Sequence, residues 1–78
     1  MDLREEFARN LRRLRAARGL SQEALAAAAE IDRTYVSALE RGLYSPTIDM
    51  VAKLAQVLMV EPTALLERAP RGRAPAQG

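Results

Sequence analysis

Leu3, Phe7, Leu11 and Leu14 are separated by four, four and three residues, which sets them on one face of a helix. Asp2 stands where that helix needs an N-cap, Glu5 follows three residues later in a capping-box arrangement, and Gly19 suits its end. Ser21 marks the cap of a second, short helix, with Glu23 in its first turn. It runs through Leu25 and Ala26 to about Ala29, and its four consecutive alanines let a neighbour approach closely. Ile31 is the apolar pivot of the turn that follows. Asp32 then caps a third helix over about 33–41, with Val36 and Leu39 facing inward and Gly42 closing it.

After a loop from Leu43 to Pro46, Thr47 caps a fourth helix with Asp49 in its first turn. Its core face reads Val51, Leu54, Ala55, Leu58. Pro62 suits the first position of a fifth helix, with Glu61 as a weak cap and Leu65 and Leu66 as anchors. No segment alternates with a strand period. The expectation is an all-α, compact five-helix domain over residues 1–68. Residues 69–78, with two Pro, two Gly and no large apolar residue, are expected to be a disordered tail.

Composition supports helices and narrows the chemistry. Eleven Leu and fifteen Ala stand against six Val plus Ile among 78 residues. The aromatics are Phe7, Tyr35 and Tyr44, so the core must be aliphatic. A domain of this length buries only about 60% of its unfolded surface and gains from a partner subunit. The chain has no Cys and no His. Disulfides, zinc sites and His-dependent acid–base catalysis are thereby excluded. With no phosphate loop and no clustered acids either, no enzymatic activity, cofactor or metal is expected. The absence of Cys fits a reducing cytoplasm. The longest apolar run, Ala24 to Ala29, falls far short of the ~20 residues that span a bilayer, and the N-terminus is acidic where a secretory signal is basic. No membrane partner is expected.

The net charge is only +2, but it is unevenly spread: +3 over residues 1–18, −2 over 19–42, −1 over 43–68 and +2 over 69–78. A nucleic-acid partner would have to be held largely by geometry. The stretch from Leu20 to Gly42 offers such geometry. Two short helices joined by a turn of about three residues cross steeply and present the N-terminus of the second outward. On that helix Thr34, Ser37, Ala38 and Arg41 form a stripe opposite Val36 and Leu39, polar and free of acids. The DNA major groove, ~12 Å wide, accepts a helix whose facing side chains are short or bond base edges. Ser37 and Ala38 permit close approach, and Arg33 and Thr34 are placed to reach bases. Gln22 is placed to bond a phosphate at the start of the second helix.

The linked set Gly19-Leu20-Ser21-Gln22, Leu25-Ala26, Ile31-Asp32-Arg33-Thr34-Tyr35-Val36-Ser37, Leu39-Glu40-Arg41-Gly42 and Ser45-Pro46-Thr47 resembles the Xre/lambdoid-repressor helix-turn-helix family over about residues 4–67. Within that family it is most similar to the controller proteins of restriction–modification systems. The resemblance implies a lambda-repressor-like DNA-binding domain, a homodimer on a two-fold-related operator, and a role in transcription. By matching position, Arg33, Thr34, Tyr35 and Ser37 become candidates for base contact. Gln22, Tyr35, Ser45 and Thr47 become candidates for phosphate contact. Double-stranded DNA and a second copy are the implied partners, with RNA polymerase a further candidate. A phage-type repressor and a helix-turn-helix antitoxin are the alternative subtypes. The rival class is a protein–protein interaction module that keeps the fold without reading DNA.

The resemblance also makes Arg15 and Glu40 an ion pair joining the first helix to the end of the third. Their alternative is two independent surface charges, worth ~0–1 kcal/mol if they met. Arg12, Arg13 and Arg18 read as a solvated face, with phosphate contact as the alternative. Met50, Val57, Met59 and Val60, with Leu66 nearby, make an apolar patch suited to a dimer surface; the alternative is ordinary partial burial. One position departs from the family. Many members carry Gly in the helix-turn-helix turn, where φ is positive, and this chain has Glu30. Either Glu30 is left-handed, at a cost of roughly 1 kcal/mol, or the turn has another geometry.

Overall fold

The computed structural model describes residues 2–68, and the expected tail 69–78 lies outside the described residues. Four α-helices follow one another: α1 (Leu3–Ala17), α2 (Gln22–Ala29), α3 (Arg33–Glu40) and α4 (Ile48–Leu58), with a 3-10 turn at Pro62–Leu65. Among the described residues there is no strand, and no helix is long and apolar enough to cross a membrane. α3 packs against both α1 and α2, α4 against α2, and the 3-10 turn against α1 and α4.

Three of the four α-helices start on a side-chain cap. The Asp2 carboxylate accepts from the Arg4 N–H, the Ser21 hydroxyl from Ala24 and the Thr47 hydroxyl from Met50, each at 2.9–3.0 Å. The Glu5 N–H donates to the Asp2 carbonyl, so the expected capping box is a simple cap. Asp32 has the extended backbone of an N-cap, but its carboxylate makes no capping bond.

All four α-helices end alike. Gly19, Glu30, Gly42 and Met59 adopt the left-handed conformation, with φ of 71°, 60°, 73° and 61°. The amide after each, on Leu20, Ile31, Leu43 and Val60, donates back to the carbonyl five residues earlier. This Schellman pairing satisfies carbonyls that a helix end leaves open. Glu30 is therefore left-handed in the turn between α2 and α3, and the helix-turn-helix geometry is kept at the cost of a side chain in that conformation.

Phe7 and Leu11 of α1, Leu25 of α2, Val36 and Leu39 of α3, Leu54 and Leu58 of α4 and Leu65 form one fully buried cluster. Each contributes about 1.5–3 kcal/mol by burial. Leu14, Leu20, Ile31 and Tyr35 pack against its margin. Leu3, expected on the buried face, is exposed, and lines an open groove between the start of α1 and the start of α4. The expected fifth helix is the 3-10 turn. Only Pro62–Leu65 are helical, and the Leu66 N–H bonds Thr63, three residues back. Asn10, 2% exposed on α1, donates its side-chain amide to the carbonyls of Leu65 and Glu67 at 3.0 and 2.7 Å. A continuing α-helix would need those carbonyls for itself. Leu65 is thus the anchor, and Leu66 stays partly exposed.

Candidate nucleic-acid interface

α3 is held from behind and open in front. Val36 and Leu39 point into the core, while Arg33 and Thr34 at its first turn and Arg41 after its last are exposed. Ala38, expected on the outer stripe, is 6% exposed and forms part of a groove floor. The chain turns back beside it after Gly42, the Leu43 N–H donating to the Ala38 carbonyl. The groove encloses about 380 Å³ and is lined by Thr34, Tyr35, Ser37 and Arg41 from α3 and its end, and by Leu43 and Tyr44 from the loop beyond. Asp32 sits at its rim, the one acid there. The rings of Tyr35 and Tyr44 lie 6.4 Å apart, tilted by 37°.

Behind this face, three helices meet at one carboxylate. Glu40, at the end of α3, is 2% exposed. The Arg15 guanidinium from α1 binds it through two bonds, Nε to Oε2 at 2.5 Å and Nη2 to Oε1 at 3.0 Å. Arg15 Nη1 also donates to the Leu20 carbonyl at 2.8 Å, tying the end of α1 to the same point. Arg12 donates to the Glu40 backbone carbonyl. Hydrogen bonding to Glu40, more than the charge itself, raises the Arg15 pKa above its ordinary value, against the opposing effect of burial. Loss of the Arg15 proton is thereby moved further into the alkaline range than for a free guanidinium. The geometry is bidentate and largely removed from solvent, unlike a pair of independent surface charges.

Gln22, the first residue of α2, joins the same cluster: its side-chain amide donates to Glu40 Oε1 at 3.0 Å. One amide proton is committed inward, and the other is left for an outside acceptor. Thr47 Oγ accepts from Met50, so its own hydroxyl proton is free to donate outward. Ser45 is exposed and lies along a second shallow groove shared with Leu3, Phe7, Pro46 and Ile48. Thr34, Tyr35 and Ser37 therefore gather around one groove, Gln22 stands on the Glu40 cluster, and Ser45 and Thr47 flank the start of α4.

Along α4 and just beyond it, Met50, Val57 and Val60 are half-buried against the core, and Met59 is 75% exposed with Arg18 donating to its sulfur. The sequence reading missed three features: the Asn10 clamp, the exposed Leu43 and Tyr44, and the exposed Ile48. Asn10 was visible as a polar residue one position before Leu11 on the apolar stripe. Leu43 and Tyr44 were visible only as apolar residues in a loop, a pattern with no fixed meaning.

Comparison with known proteins agrees with this geometry. The helix-turn-helix family matches residues 11–65. An uncharacterized HTH-type transcriptional regulator, y4dJ, of Sinorhizobium fredii is 39% identical over 66 residues, covering 85% of this chain and 86% of that protein. The crystal structure of the restriction-modification controller protein C.AhdI from Aeromonas hydrophila superimposes with a TM-score of 0.77 at 44% identity, over 80% of this chain and 94% of that one. A further controller protein, C.Esp1396I, solved as a tetramer in complex with its natural 35 base-pair operator, gives a TM-score of 0.76 at 28% identity, over 83% and 86% of the two chains.

Proposed function

This chain belongs to the helix-turn-helix family of transcriptional regulators, and from that premise we propose that it reads a specific DNA operator through α3, as a homodimer. The observation that carries this reading is the outward face of α3: Arg33, Thr34 and Arg41 exposed at its two ends, with small Ser37 between them. Such a face enters a major groove without steric conflict and brings donors to base edges. Arg33 and Thr34 supply base contacts, and Ser37 and Tyr35 follow along the groove. Gln22, Ser45 and Thr47 bind phosphates on either side and fix the register. The pair of Arg15 and Glu40 sets the angle at which α3 leaves the body of the domain.

One short helix on one half-site is little contact for specific binding. A two-fold pair doubles it and suits half-sites about 34–36 Å apart. Met50, Val57, Met59 and Val60 supply the self-complementary apolar surface such a pair needs. The likeness to C.AhdI and C.Esp1396I supports a restriction–modification controller as the subtype. Selection of duplexes from a random-sequence library by the purified protein tests the reading. Enrichment of one two-fold-related sequence is expected. Retention of duplexes by salt-sensitive binding without enrichment would leave only a general affinity for phosphates.

A further inference from the structure

The four left-handed helix ends provide an internal comparison. Each is followed by an apolar residue whose amide closes the Schellman pairing: Leu20, Ile31, Leu43 and Val60. That residue ordinarily folds back onto its own helix or the core. Leu20, Ile31 and Val60 do so, packing against the buried cluster. Leu43 does not, and 52% of it is exposed. Tyr44 beside it is 56% exposed, and its ring centroid lies 6.4 Å from that of Tyr35 in α3. Both line the groove that also holds Thr34, Ser37 and Arg41.

Resting on the DNA-reading function above, we propose that Leu43 and Tyr44 are specificity residues that read thymine 5-methyl groups in the major groove. The placement is continuous with the polar face of α3, so a duplex seated on that face covers both side chains. Thymine alone among the four bases projects a methyl group into the major groove, and apolar side chains select it. Leu43 offers an aliphatic surface. Tyr44, its ring near that of Tyr35, offers a flat one. Neither carries charge, so their contribution is independent of the phosphate contacts.

The test replaces thymines by deoxyuridines, which removes the methyl and leaves the base pairing and the hydrogen-bonding edge intact. The probe is the duplex enriched from the random library, with each dT of one half-site changed singly to dU. Affinities are measured at one salt concentration for the full chain and for Leu43→Ser and Tyr44→Ser, both confirmed folded by circular dichroism. At least one dU is expected to weaken the unaltered chain about fourfold, the value of one buried methyl. In one or both variants that loss should vanish, while binding to scrambled duplex is unchanged. Uniformly neutral dU substitutions, an enriched half-site without thymine, or an equal dU penalty in both variants would overturn the proposal while sparing the DNA-reading function. Failure to enrich any sequence would remove that function itself, and this inference with it.

Discussion

Gln22 and Glu40 meet at 3.0 Å, the first residue of α2 donating to the last residue of α3 through the same Oε1 that takes Arg15 Nη2. One buried carboxylate thereby fixes the position of α2 and α3 relative to α1. Glu40→Ala leaves a partly buried guanidinium and amide without their acceptor. Removing one partner of such a pair costs about 3 kcal/mol or more, against ~0–1 kcal/mol for a surface pair. In thermal unfolding followed by circular dichroism, Glu40→Ala is expected to lower Tm by more than about 10 °C. Glu40→Gln, which keeps one oxygen acceptor, should lose less. A fall of only one or two degrees in Glu40→Ala would reduce the cluster to a surface ion pair.

Glu30 occupies a left-handed position that its neighbours Gly19 and Gly42 occupy without a side chain. Glu30→Gly should therefore stabilise the domain by about 0.5–1 kcal/mol, a few degrees in Tm. The converse change, Gly19→Ala, should destabilise by a similar amount through backbone strain alone, since an added Cβ there meets nothing within 4 Å. Opposite signs in the two melts support the assignment; a destabilised Glu30→Gly would mean that the Glu30 side chain contributes contacts of its own.

Much of this domain was legible because its local signals agree with one another. Ser21 and Thr47 cap where a small hydroxyl precedes an apolar run, and Val51, Leu54, Ala55 and Leu58 follow the helical period into the core. Pro62 announced a helix start, but no local rule reveals that Asn10, 55 residues earlier, takes the Leu65 carbonyl. Ala38 was placed outside because helical spacing fixes a direction and not what lies beside it; Leu43 and Tyr44, from the loop after Gly42, line the same groove. Of the candidate interface, the residue types at the start of α3 were readable from spacing. The shared use of Glu40 by Arg15 and Gln22 was not, because it depends on three helices converging.

Val57 is half-buried between the core and the proposed dimer surface. Val57→Glu would set an unpaired carboxylate into that contact. The expected outcome is a folded monomer with weakened operator binding, read by sedimentation equilibrium and circular dichroism together. A variant that stays dimeric with unaltered affinity would move the interface away from α4, and one that unfolds would assign Val57 to the core.

The ratio of affinities for the enriched duplex and a scrambled duplex of equal length, at one salt concentration, bears most directly on whether α3 reads sequence. For the unaltered chain that ratio should reach about 10³ or more. Arg33→Ala should cut it at least about fivefold, since a bidentate arginine–guanine contact discriminates by ~1–3 kcal/mol. Gln22→Ala should weaken both duplexes together and keep the ratio, as loss of a phosphate contact does. A ratio near one for the unaltered chain, unmoved by Arg33→Ala, would mean that α3 does not read bases and that this face serves another purpose.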